Sequence, residues 1–108
     1  MLATAMADDP PHPWRTSETD DLFEAILSLR SLDEAQRFFR DLCTLQEIEA
    51  LTHRWQAARL LDQGLPYLEV AAQTGASTTT VTRVAQWLRN GTGGYRTALD
   101  RVHAKRKR

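Results

Sequence analysis

The sequence predicts an all-α chain of six helices containing a helix-turn-helix, and three observations carry that prediction. Apolar residues recur at helical spacing in each segment bounded by capping or turn residues. No convincing strand-like alternation appears between them. The stretch Leu68 to Leu88, LEVAAQTGASTTTVTRVAQWL, holds two helical runs separated by a single glycine. The 108 residues suit one domain with tails, read as an arm over 1–16, a helical domain over 17–103 and a basic tail over 104–108.

The arm carries Pro10, Pro11 and Pro13 and is expected to be flexible. Its Trp14 either pins it to the body or stands in solvent. Thr16 or Ser17 can cap a first helix through Leu29, with Glu18, Asp20 and Asp21 favourably near its positive end. Leu22, Phe23, Ile26 and Leu27 form its apolar face. Ser31 with Glu34 has the spacing of a capping box for a second helix, whose buried stripe would be Leu32, Ala35, Phe38, Phe39 and Leu42. Thr44 with Glu47 repeats the spacing and opens the longest helix, running to about Gln63 and stopped by Gly64. Leu45, Ile48, Leu51, Trp55, Ala58 and Leu61 mark one face, widened by Ala57 and Leu60.

A short helix over Glu69 to Thr74 then ends at Gly75, where a tight turn needs positive φ. Ser77 can cap the helix that follows. Val81, Val84, Ala85 and Leu88 are its buried stripe, and it ends near Asn90 and Gly91. Tyr95, Leu99 and Val102 open a last helix, which runs into Lys105-Arg106-Lys107-Arg108. Two short helices joined by a glycine-containing turn form the unit whose second helix can enter the DNA major groove.

The outer face of that second helix carries Thr78, Thr79, Thr80, Thr82, Arg83 and Gln86. Threonine is a poor helix former, so a merely solvated surface would be better built from Glu, Lys or Ala. Threonine hydroxyls can bond base edges or phosphates, glutamine can bond adenine bidentately, and arginine can bind phosphate or guanine. The bland alternative is a threonine-rich surface helix. The glycine turn and the Ser77 cap favour DNA contact. Thr78, Thr79, Thr80 and Gln86 are the base-edge candidates, while Thr82 and Arg83 divide between phosphate and base.

Net charge is zero, but it is segregated. Residues 1–63 hold six Arg and Lys against twelve Asp and Glu, and residues 64–108 hold eight against two. The basic half contains the helix-turn-helix, the electrostatic footprint of a nucleic-acid binder.

Other chemistry is weakly supported. Cys43 is the sole cysteine, which excludes an intrachain disulfide and suits a reducing, cytoplasmic setting. It is expected to be a buried apolar residue rather than a nucleophile, because His53 lies ten helical residues away, roughly 15 Å. His12, His53 and His103 make no metal-ligand spacing, and no cofactor is expected. Gly91-Thr92-Gly93-Gly94 follows a helix and lacks the lysine of a phosphate loop, so it reads as an interhelical turn. The N-terminus lacks the pattern of a signal peptide, and no apolar stretch is long enough to cross a bilayer. The basic tail either binds DNA phosphate or is simply solvated. No nucleophile, base and orienting group converge, so an enzyme is not expected.

From Asp41 onward the sequence resembles the Trp repressor superfamily. The resemblance rests on Thr44…Glu47…Glu49-Ala50-Leu51…Arg54, on Leu60-Leu61…Gly64, and on Gly75-Ala76…Thr80-Val81-Thr82-Arg83. The YerC/YecD branch is more similar still, through LFEAILSLRSLDEAQRFFRDLCT at Leu22–Thr44, GASTTTVTRV at Gly75–Val84 and Gly94-Tyr95…Ala98-Leu99-Asp100-Arg101-Val102. The resemblance implies a six-helix Trp-repressor-like fold, an interleaved homodimer and a cytoplasmic regulator, read as a repressor, that binds a double-stranded DNA operator. It also implies an effector pocket, with its arginines at Arg54 and Arg83 and a threonine at Thr44. Arg54 is alternatively a solvated arginine, or one paired across the dimer. Val84 stands where the family has glycine and Trp87 where it has serine, so the pocket is expected to be vestigial and filled by the indole. The basic residues of the family's first motif helix are replaced by Leu68 and Ala71. These departures predict DNA binding without a tryptophan corepressor. The rival reading is a helical homodimeric protein-interaction module that does not bind DNA.

Overall fold

The computed structural model describes residues 13–106 and contains six α-helices among them. They are α1 (Ser17–Leu27), α2 (Leu32–Leu42), α3 (Leu45–Asp62), α4 (Tyr67–Thr74), α5 (Thr78–Asn90) and α6 (Gly94–Arg106). The proline-rich start of the arm, with His12, and the last two tail residues lie outside the described residues. The expected tail is helical as far as Arg106. The described chain forms two compact units, residues 13–42 and residues 43–106.

In the first unit, local hydrogen bonds fix the helix ends. Thr16 caps α1. Its hydroxyl accepts from the Thr19 amide at 3.1 Å, and its own amide donates to the Thr19 hydroxyl at 2.8 Å, so threonine completes the capping box. The helix stops two residues before the expected Leu29, because the Ser28 amide and hydroxyl both turn back to bond carbonyls of its last turn. At α2 the expected box is only half formed. The Ser31 hydroxyl accepts from the Glu34 amide, but the Glu34 carboxylate accepts from the Arg30 amide instead of from Ser31. The larger correction concerns burial. No residue of α1 or α2 is buried; Leu27 is 83% exposed and Leu32 76%. Their apolar stripes exist at the expected positions, but none of the described residues covers them fully.

The second unit has the core. Thr44 and Glu47 form the predicted capping box of α3, with bonds of 3.1 and 2.8 Å. The C-terminal half of α3 packs against α4 and α5. There Ala57 and Ala58, which lack bulk, let the three helices approach closely, and both are fully buried with Val70, Val81 and Val84. The N-terminal half of α3 projects beyond this packing, which leaves Leu45 and Leu51 exposed rather than on a buried face. Helix α4 begins at Tyr67, two residues earlier than expected, because Pro66 supplies an extended residue before it. Leu99 joins the core from α6, and Trp55 stacks on Tyr95 at 6.4 Å around its edge. Burial pushes the Tyr95 phenol pKa up, against the opposing charge of Arg54.

Candidate nucleic-acid interface

The turn between α4 and α5 is built as the sequence requires. Gly75 adopts φ +80°, the left-handed region that glycine enters without a Cβ penalty, and its amide closes α4 on the Ala71 carbonyl. The Thr74 hydroxyl donates to the Val70 carbonyl and accepts from the Ala76 amide. Ala76 drops into the core. The Ser77 hydroxyl accepts from the Thr80 amide at 3.1 Å and caps α5. Behind the turn, His53 of α3 approaches Gly75, its ring atoms 3.5 Å from where a Cβ would stand.

These restraints fix which face of α5 is presented. Val81, Val84 and Ala85 are buried, and Thr78, Thr79, Thr82, Arg83 and Gln86 are exposed. One hundred degrees per residue accounts for the division. The threonines are not equivalent. The Thr82 hydroxyl donates back to the Thr78 carbonyl at 2.9 Å, leaving its methyl as its outward group. Thr80 departs from the expected base-reading set. It is half-buried, accepts from the Ser77 hydroxyl, and faces a cavity of about 210 Å³ shared with Ala50, His53, Arg54 and the turn.

The residues assigned to an effector pocket have different surroundings among the described residues. Thr44 is spent on the α3 cap, ten helical residues from Arg54, roughly 15 Å. Val84 is in the core, so the residue at the family's glycine position does occupy interior space. Arg54 lines the cavity beside the turn. Trp87 differs most from expectation. Its indole is 46% exposed and forms one wall of an open, mainly apolar cavity of about 510 Å³ with Trp55, Tyr95 and Ala98. Among the described residues it lines this opening rather than filling it. The reason is its place on α5, beside the buried stripe and near the helix end, where Trp55 of α3 and the start of α6 line the opening without closing it.

Elsewhere, Arg96 of α6 bonds Asp62 at the end of α3 through two nitrogens, at 2.8 and 3.1 Å, and also reaches Asp100. The hydrogen bonds from Arg96 hold the Asp62 carboxyl below the usual aspartate range, and the same carboxylates raise the Arg96 guanidinium. This clamp ties α6 to α3 and makes no catalytic constellation. No cluster of metal-ligating side chains exists among the described residues. Cys43 is half-buried rather than fully so. Trp14 is half-exposed, with the Arg15 guanidinium 4.9 Å over its ring.

Sequence reasoning passed over one pair beside the turn. The Arg89 guanidinium at the end of α5 donates to the Tyr67 hydroxyl at the start of α4, at 3.0 Å. The available signal was spacing, because Arg89 continues the outer stripe of Thr78, Thr82 and Gln86 by another helical turn.

Comparison with known proteins agrees with this architecture. The profile of the Trp repressor protein family matches residues 17–103. The YerC protein of Bacillus subtilis is 49% identical over 88 residues, which is 82% of this chain and 85% of that protein. A TrpR-like protein from Eubacterium eligens superposes with a TM-score of 0.79 at 44% identity, over 82% of this chain and 92% of that one. A structure described as a putative Trp repressor from Staphylococcus aureus gives 0.80 at 41% identity, over 84% and 91%.

Proposed function

The chain belongs to the Trp repressor family, a regulatory rather than enzymatic family of helical DNA-binding proteins, and from that premise we propose that it is a sequence-specific transcription repressor acting as a homodimer without a tryptophan corepressor. The observation that carries the proposal is the outer face of α5. Four exposed groups chosen for contact rather than helix stability, Thr78, Thr79, Arg83 and Gln86, stand on a helix pinned by a left-handed glycine, a serine cap and three buried side chains. A pre-positioned helix binds without losing loop entropy.

The dimer is supported by α1 and α2. Two helices with apolar stripes and no buried residue do not account for their own stability, and a second copy supplies matching apolar surface. Two-fold pairing also sets two recognition helices about one DNA turn apart, roughly 34 Å. The absence of a corepressor is supported by Val84 in the core, and a cytoplasmic location suits such a regulator.

Selection of bound duplexes from a random pool, with and without amino acids, tests the reading. We expect one enriched motif, unaffected by tryptophan, bound with a steep inverse dependence on salt. Arg83→Ala should weaken that binding. A chain that dimerises but shows no salt-dependent affinity for duplex DNA is instead an interaction module, the alternative that the uncovered faces of α1 and α2 favour. Calorimetry with L-tryptophan checks the second clause, and micromolar binding would overturn it.

A further inference from the structure

We propose that Arg89 and Tyr67 together form a phosphate anchor on the flank of the helix-turn-helix, a reading that rests on the DNA-binding role of α5 proposed above. The Arg89 guanidinium is exposed, pairs with no carboxylate among the described residues, and is held by the Tyr67 hydroxyl at 3.0 Å across 22 residues of sequence. An arginine is ordinarily steadied by an acid, which would cancel its charge. Here a neutral phenol does the steadying, so the charge stays uncompensated while the side chain is oriented. The bond uses a lone pair of the phenol oxygen, and the phenol proton is left to donate. One guanidinium fork and one hydroxyl thus stand 3.0 Å apart, two kinds of donor close enough to serve one phosphodiester oxygen pair.

Position agrees with chemistry. Arg89 lies on the outer stripe of α5, eleven residues beyond Thr78, or about 16 Å along the axis. The major groove is roughly 12 Å wide. A helix whose first turn reads base edges thus carries its Arg89 end to the groove rim, where the backbone runs. Tyr67, at the first position of α4, brings the other motif helix to the same rim. The residues at Leu68 and Ala71 cannot contact phosphate through a charge, and this pair restores a cation to that side of the motif.

The competing explanation is that the bond only staples α4 to α5. The two separate on the salt dependence of binding by the full chain, measured by anisotropy on one selected duplex and one random duplex. Arg89→Gln keeps a donor for Tyr67 but removes the charge. It should weaken both duplexes alike, by about tenfold, and lower the log–log salt slope by about 1. Arg89→Lys should keep the slope while losing the fork, and Tyr67→Phe should cost several-fold at an unchanged slope. Thermal melting of each variant confirms that it folds. An Arg89→Gln chain that melts normally and keeps the parental slope overturns the anchor and leaves the α5 reading standing. Absence of any salt-dependent binding by the unsubstituted chain removes both.

Discussion

Gly75 and Ser77 decide the geometry of the candidate interface at the level of single residues. Any side chain at Gly75 must enter the left-handed region, at a cost of about 1 kcal/mol. Its Cβ would meet His53 only at ordinary contact distance, so the penalty is conformational rather than steric. We therefore expect Gly75→Ala to lower unfolding free energy by about 1 kcal/mol in chemical denaturation, with DNA affinity reduced through the altered turn. The need for glycine and for a serine cap was legible in the sequence, because both follow from local backbone chemistry. The half-burial of Thr80 and the open setting of Trp87 were not. They depend on which neighbouring element lies opposite, and a periodicity of 3.6 cannot say what stands across from a helix face.

Among the elements, α3 and α6 are joined at their ends by the Asp62–Arg96–Asp100 clamp; the Arg96–Asp100 pair has i,i+4 helical spacing, but no spacing in the sequence announces the Asp62–Arg96 pair. The carboxyl of Asp62 titrates below its ordinary range, chiefly through the Arg96 hydrogen bonds. Its contribution to stability is therefore complete above the ordinary aspartate pKa of about 4 and is lost as pH falls through the lowered folded value. Because the pair is partly exposed, the effect is modest. Asp62→Asn should lower the melting temperature slightly at neutral pH, and the gap to the parent should shrink as acid protonates the parent carboxyl. A gap that is constant with pH would remove the clamp from the stability of α6. Helices α1 and α2 teach the complementary lesson. Their stripes, both their starts and the end of α1 were readable to within two residues. Their burial was not, because amphipathicity records that a face wants cover without recording which chain provides it.

For the whole molecule, charge and apolar exposure are distributed unevenly along the chain. The acidic half contains α1 and α2 with no buried residue and gives the core Ala57 and Ala58 of α3, and the basic half contains the rest of the core and α5. The proposed homodimer would cover the apolar faces of α1 and α2. Sedimentation equilibrium should then give twice the chain mass, and the melting temperature should rise with protein concentration. A concentration-independent melt of a monomer would overturn the dimer.

The half-exposed indole of Trp87 has an optical consequence. It sits on α5, one helical turn beyond Arg83, on the element proposed to meet DNA. Replacing Trp14 and Trp55 by phenylalanine leaves one indole in the chain, at that helix, selectively excited at the red edge where the tyrosines do not absorb. Its wavelength and quenching report the polarity around the motif without an attached dye, so the protein carries its own probe for watching a duplex arrive.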